Sequence, residues 1–318
     1  MTTIPSESAR AAPPGNPSSR PTVVVMVLNW NRRELLRACL ESVFASTWAD
    51  LAVLVTDSGS TDGSQDLVTE RFPAAHLLQL PRNLGAAGGR NAAIAWVREH
   101  LASDWYFVID NDTTLEPDCI DQLLAVGAED DRIGLVAAKA FRAKGDSQLL
   151  AAGGMAFNPY TGHAWDVAFG EPDRGQHDRQ ADIQACPGYA MFVRASALDR
   201  VGGFDEAYNP YGWEDVDFSL RMRQQGFRIT YAPKAVVYHA GGRVGRGPVT
   251  SYEAHKARNM IRLVRQHSTP LQWACFLTLL PVRAGWRVAR ELATGNPRTV
   301  VAWMRGLLAR DRRSQGAP

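Results

Sequence analysis

The chain has 318 residues, 45% apolar and 21% charged, an ordinary soluble-globular balance with enough apolar material for one large α/β domain or two smaller ones. Its four cysteines, Cys39, Cys119, Cys186 and Cys275, form no CxxC pair, which argues against a zinc ribbon or disulfide framework and fits buried thiols in a reducing compartment. The net charge of +2 hides a split: 12 Lys/Arg against only Glu291 and Asp311 from Lys256 onward leave the preceding part at −8, so the basic end is expected to meet an anionic surface.

Residues 1–20 are rich in Ser, Pro and Ala, lack the apolar stretch of a signal peptide, and read as a disordered tail. Thr22 to Leu28 is a β-branched run, followed by a helical pattern from Glu34 to Phe44 with Leu35, Leu36, Cys39, Leu40 and Val43 on one face. Leu51 to Thr56 repeats the strand signal before a turn-rich segment, and Gln65 to Arg71 resumes a helix. A third strand near Ala75 to Leu80 leads through the glycines at 85, 88 and 89 into a helix from Asn91 to His100, and Trp105 to Ile109 is a fourth strand. This alternation predicts a mostly parallel sheet with helices on both faces. Beyond a helix at Asp121 to Val126 the pattern loosens into loops marked by Gly153-Gly154, Asn158-Pro159 and the polar stretch Gly170 to Asp182, where substrate-specific contacts are expected. The apolar run from Trp273 to Val282 spans about 10 residues, against about 20 for a membrane-crossing helix.

Ligands collect at the carboxyl ends of such strands, where Asn29, Asp57, Asn83 and Asp110 stand. Asp110-Asn111-Asp112 directly follows an apolar strand, so two acids can face one Mg²⁺ or Mn²⁺ ion on a diphosphate; a loop-capping carboxylate is the alternative. His239 ends another strand and suits the same ion, or is an interior histidine. Trp213-Glu214-Asp215 opens a helix, where Asp215 is either a cap or, with Glu214 beside it, a general base for a hydroxyl. Asp57 reads equally as a turn residue or as an acceptor for the N3–H of a pyrimidine. Gly85, Gly88 and Gly89 resemble a phosphate-cradling loop, though without a GxGxxG or P-loop spacing, and Arg90 either contacts a diphosphate or is a solvated first-turn arginine.

In combination, VVVMVLNWNR (23–32), VTDSGSTDGS (55–64), RNLGAAGGRNAAI (82–94), FVIDNDTTLEP (107–117), GWEDVDFSLR (212–221) and VVYHAGG (236–242) resemble the family 2 glycosyltransferases of GT-A fold, particularly the bacterial rhamnosyltransferase-like and galactofuranosyltransferase-like branch. The resemblance implies a GT-A, Rossmann-like domain over residues 21–250 and a basic helical extension over 251–318. It implies nucleotide-sugar binding by Asn29, Asp57, Asn83, Gly85, Arg90, Asp110 and Trp213, metal binding by Asp110, Asp112 and His239, and base catalysis by Asp215 with Glu214 beside it. The reaction implied is inverting transfer from dTDP-rhamnose, a UDP-sugar or GDP-mannose to a hydroxyl of a glycan or polyprenyl-linked acceptor in cell-envelope polysaccharide synthesis. Ser58 departs from the family pattern, where Asn or Asp is common, as does Ala86-Ala87.

Tyr252, Lys256, Arg258 and Asn259 resemble the family's Tyr-rich RN segment. Arginines interleaved with Trp and Leu after Trp273 describe a helix lying on an anionic membrane, or else a basic helix packed on the domain. A cytoplasmic protein at the inner face of the membrane is expected, with no nucleic-acid partner and no oligomeric state specified. The competing functions are a sugar-1-phosphate nucleotidyltransferase, whose Gly-rich signature is missing after Val27, and a non-catalytic membrane-associated scaffold.

Overall fold

A computed structural model describes residues 20–241 and 249–309. The expected tail at 1–19, Gly242, and the arginines at 310, 312 and 313 lie outside the described residues. The elements run β1 (Val23–Asn29), α1 (Arg33–Phe44), β2 (Leu51–Asp57), α2 (Ser64–Arg71), β3 (His76–Gln79), α3 (Gly85–His100), β4 (Trp105–Asp110), β5 (Thr113–Leu115) and α4 (Cys119–Gly127). They continue as β6 (Ile133–Phe141), β7 (Leu149–Ala151), β8 (Met155–Asn158), β9 (His163–Asp166), β10 (Ala181–Asp182), β11 (Ala190–Arg194), α5 (Ala195–Val201), α6 (Glu214–Gln224) and β12 (Arg228–His239). The helices α7 (Val249–His267), α8 (Pro270–Ala293) and α9 (Pro297–Leu308) follow.

The main sheet has the order β10-β12-β6-β11-β4-β1-β2-β3. Strands β3, β2, β1 and β4 are mutually parallel, as the alternation of strands and helices predicts. Beyond them β11 runs antiparallel between β4 and β6, and β12 is parallel to β6. Successive side chains of a strand face opposite sides, so Val23, Val25 and Val27 enter one core with Leu36 and Leu40 of α1 and Leu123 of α4. Val24 and Met26 enter the other with Ile94 and Val97 of α3 and Phe218 and Met222 of α6. Both faces being covered explains why these strands read as continuous apolar runs.

A third core joins the C-terminal helices to this frame. Met260, Leu263 and Val264 of α7 pack with Phe276 of α8, Trp303 of α9, and Tyr208 and Val216 of the sheet-bearing part. Thr269 opens α8 through a capping box with Gln272, and Pro270 occupies the first turn. Gly306 lets α9 touch α7: a Cβ there would lie 2.2 Å from the Ala254 carbonyl oxygen. Among the described residues no helix is long and apolar enough to cross a membrane. Cys39, Cys119 and Cys186 are buried free thiols and Cys275 is partly covered.

The segment after residue 127, expected to loosen into loops, carries β6 and β11 inside the main sheet, and one helix starts earlier than expected. Helix α3 begins at Gly85 and not at Asn91, so the three glycines form its first turns. Glycine is a poor helix former, which is why the sequence reads as a loop there. The glycines serve close packing: a Cβ on Gly89 would lie 2.5 Å from Leu28 Cδ1, and one on Gly85, at φ +79°, 2.5 Å from Asn209 Oδ1.

Candidate active site

Parallel pairing sets the ends of β1, β2 and β4 side by side, with Asn29 opposite Asp57 and Leu28 opposite Asp110. Asn29 is fully buried and links the three strand ends. Its amide donates to Asp57 Oδ2 at 2.8 Å, and its carbonyl oxygen accepts from Asn111 Nδ2 at 2.6 Å. Above them lies a cavity of about 370 Å³ whose walls include Asn29, Ser58, Asn83, Gly85, Asp110, Asp112, Tyr211 and His255. A second cavity of about 280 Å³ is lined by Arg90, Gly188, Tyr189, Trp213, Glu214, Asp215, His239 and Lys256, and Asp110 borders both.

The acids of the Asp-Asn-Asp triplet meet His239 because β5, which follows the triplet, pairs antiparallel with the end of β12. The Ala240 amide donates to the Asp112 carbonyl at 3.0 Å, closing that pairing. One ligand atom from each of Asp110, Asp112 and His239 falls within 4.8 Å of the others. His239 Nε2 lies 3.1 Å from Asp112 Oδ1, yet it is a buried nitrogen without a properly aligned hydrogen bond. Ligand atoms this close, with the buried imidazole nitrogen left without an aligned hydrogen bond, fit a cation held between them. Tyr189 stacks on the imidazole at 4.4 Å with 14° between planes and holds the ring. Two carboxylates and an imidazole suit Mg²⁺ or Mn²⁺.

Across the second cavity α6 opens on Trp213, which adopts the left-handed conformation at φ 73°. The strain is supported from α7: Trp213 Nε1 donates to the Lys256 carbonyl at 3.0 Å and Lys256 Nζ sits over the indole at 4.6 Å. Asn259, fully buried, donates to the carbonyls of Tyr208, Tyr211 and Gly212, fixing the loop before the helix. Asp215 is not the N-cap. Its Oδ2 accepts from the Gly188 amide at 2.8 Å and its Oδ1 from the Val216 amide at 2.8 Å, leaving the carboxylate at the cavity wall. Burial first, then the Asp215 charge, raises the proton affinity of Glu214, against the opposing pull of Arg90. Asp217 points elsewhere, into a pairing with Arg221 and His267.

Two expectations are corrected by these contacts. Arg90 is no solvated arginine: with a side chain only 4% exposed, it pairs with Asp110 at 3.0 Å and Glu214 at 3.1 Å and donates to the Gly188 carbonyl at 2.9 Å. It therefore joins the two carboxylate clusters. The glycine segment is no open phosphate cradle, because the amides of Gly85, Ala86, Ala87 and Gly88 already donate to Asn83, Pro210 and Asn209. Asp57 is 1% exposed at the end of β2 and serves the turn that follows: its oxygens accept from the Ser60 amide three residues on, and from Asn29 and Gln65.

Asp166 escaped the sequence reading altogether. It ends β9, paired across the hairpin with Met155, whose side chain lines the second cavity. Burial and the neighbouring Asp215 charge push its carboxyl up to about 6, while Lys256 and His239 pull the other way. No motif marks it, since it lies in a short strand between polar loops; only the tertiary fold brings it to Asp215.

The model of the family described as "Glycosyltransferase like family 2" matches residues 21–265. An N-acetylglucosaminyl-diphospho-decaprenol L-rhamnosyltransferase of Mycobacterium tuberculosis is 29% identical over 271 residues, covering 78% of this chain and 87% of the relative. A pre-mycofactocin glycosyltransferase of the same organism is 28% identical over 240 residues, 73% of this chain and 45% of the relative. Among solved structures, a mannosyltransferase of Pyrobaculum calidifontis in complex with GDP-Man and Mn²⁺ superposes with a TM-score of 0.57 at 17% identity, over 92% of this chain and 88% of that one, and shares the GT-A fold. The match spans the sheet, both cavities and most of α7, and the chain is an enzyme that belongs to the family 2 glycosyltransferases.

Proposed function

We propose that this enzyme is an inverting, metal-dependent transferase that moves a sugar from a nucleoside-diphosphate donor, dTDP-rhamnose or a UDP-sugar, to a hydroxyl of a lipid-linked glycan in cell-envelope synthesis. The observation that carries the reading is the convergence of Asp110, Asp112 and His239 where the two cavities meet, with Asp215 on the far wall of the second. The first cavity takes the nucleotide and the second the reacting sugar and acceptor. A divalent cation held by the three residues would supply counter-charge to the donor diphosphate. Asp215, oriented by two backbone amides, takes the proton from the attacking acceptor hydroxyl. Arg90 ties Asp110 to Glu214 and keeps the donor and acceptor walls at a fixed separation.

The rhamnosyltransferase relative and the surface of α8 support this acceptor class. Leu271, Val282 and Trp286 expose 68%, 71% and 67% of their surface and fall on one stripe of that helix, with Arg290 over Trp286. Such a face suits peripheral contact with the inner, cytoplasmic face of a membrane.

Replacing Asp215 with Asn keeps the side chain's shape and removes its ability to take a proton. Transfer should fall by about 10²-fold or more while binding of UDP or dTDP with Mn²⁺ persists. Near-normal turnover would remove the base from Asp215.

A further inference from the structure

Helices α7 and α8, joined by Ser268 and Thr269, run in opposite directions and share the third core. Two contacts fix their register. Near their junction, Val264 and Phe276 both meet the hairpin turn of β8 and β9, where a Cβ on Gly162 would lie 3.0 and 2.9 Å from them. Nearer the catalytic cavity, Arg287 pairs with Glu253. One helical turn along from that ion pair, Arg283 stands at the level of Lys256 and Ala257. Lys256 lines the cavity that holds Asp215.

Arg283 is an unusual arginine. It is partly covered, its Nη1 is buried without a hydrogen-bond partner, and no carboxylate pairs with it among the described residues. Burial, with the Arg287 charge adding to it, disfavours its cationic form. His163, next to the hairpin turn, lies within the field of both Arg283 and Lys256, which with burial hold it below its ordinary value. Lys256 has its ammonium over the Trp213 and Tyr252 rings, with Asp166 within its field, and makes no ion pair among the described residues. A buried guanidinium donor left without an acceptor is costly, and a phosphate oxygen would satisfy it. Beside Arg283 on α8 stand the exposed Val282 and Trp286, so these cationic side chains lie between the Asp215 cavity and an apolar strip.

We infer that Arg283, with Lys256 and His163, forms a subsite for the phosphate or diphosphate group of an amphiphilic acceptor, whose sugar reaches Asp215 and whose lipid follows the exposed strip of α8. This rests on the lipid-linked acceptor proposed above and assigns the residues that would select it. Arg283 is a specificity-determining residue that touches neither the nucleotide nor the reacting hydroxyl.

The test is calorimetric titration of the full chain in EDTA with farnesyl diphosphate, inorganic pyrophosphate and anionic phospholipid vesicles in turn. It compares the wild type with Arg283→Gln and Arg283→Lys. Farnesyl diphosphate should bind the wild type, about tenfold or more weaker to Arg283→Gln, with Arg283→Lys retaining most of the affinity. Pyrophosphate should bind more weakly than farnesyl diphosphate and lose affinity in the same order. UDP with Mn²⁺ should bind all three proteins alike, which checks that the fold and the donor site are intact. Equal farnesyl diphosphate affinity in wild type and Arg283→Gln overturns the subsite, as does absence of binding to the wild type. An Arg283 dependence seen only with vesicles assigns Arg283 to a lipid headgroup and overturns the acceptor subsite. None of these results touches the Asp215→Asn test, so the subsite and the transferase reading can fail separately.

Discussion

Replacing Arg90 with Met leaves a side chain of similar length and removes both ion pairs and the bond to Gly188. Asp110 is one-third exposed and can recover water, but Glu214 is 8% exposed and cannot. Removing one partner of a buried pair destabilises by about 3–5 kcal/mol. At about 2 °C per kcal/mol for a chain of this size, the melting temperature should fall by about 6–10 °C. The deficit should depend on pH. The folded-state affinity of Glu214 for a proton is already raised, so its unfavourable contribution is absent below the unfolded carboxyl range and grows as pH rises through the folded value. Without Arg90 that value rises further, and Glu214 can escape its unpaired charge only by taking up a proton. Urea unfolding at pH 5.5 and pH 8 should therefore show the larger loss at pH 8, and adding Glu214→Gln should restore much of it. A loss below about 1 kcal/mol, or one equal at both pH values, would refute the bridging role of Arg90.

Two further outcomes follow from neighbouring features. Asp166 has its carboxyl raised to about 6 from 3.8, so wild-type stability is depressed as pH climbs through 6, by about 3 kcal/mol at most. Asp166→Asn should melt higher than wild type at pH 7.5 and equally near pH 4, and a gap independent of pH would mean the carboxylate is not the cause. Val282→Glu with Trp286→Glu should reduce co-sedimentation with anionic vesicles at low salt and leave the melting temperature within a few degrees, since both side chains are exposed. Unchanged sedimentation would make α8 a packing element.

The parts of this molecule written as local pattern were legible. Val23 to Val27 and Trp105 to Ile109 are apolar because both faces of the sheet are covered, and a strand end followed by Asp-Asn-Asp is a local signal. His239 was legible as a strand-end imidazole, although its approach to Asp112 depends on the pairing of β5 with β12. What escaped was decided by distant partners. Gly85 to Gly89 reads as a loop on propensity, but Asn209 supplies the acceptors that start α3 there and Leu28 fills the space beside Gly89. Arg90 has nothing in its own neighbourhood that foretells Asp110 and Glu214. Asp57 carries a familiar motif position, yet its surroundings turn it inward toward Asn29 and Gln65. Asp166 and Arg283 belong to no motif, and both acquire meaning only when the β8–β9 hairpin is set against α7 and α8.

The central claim is that Asp110, Asp112 and His239 hold one divalent ion at the donor diphosphate. Anomalous diffraction from crystals grown with Mn²⁺ and UDP or dTDP measures this directly. The expected result is a single strong manganese peak within about 2.0–2.3 Å of at least one Asp112 oxygen and of His239 Nε2, with diphosphate oxygens completing the shell. A nucleotide bound in the cavity with no manganese at these residues, or with manganese held elsewhere, would contradict it.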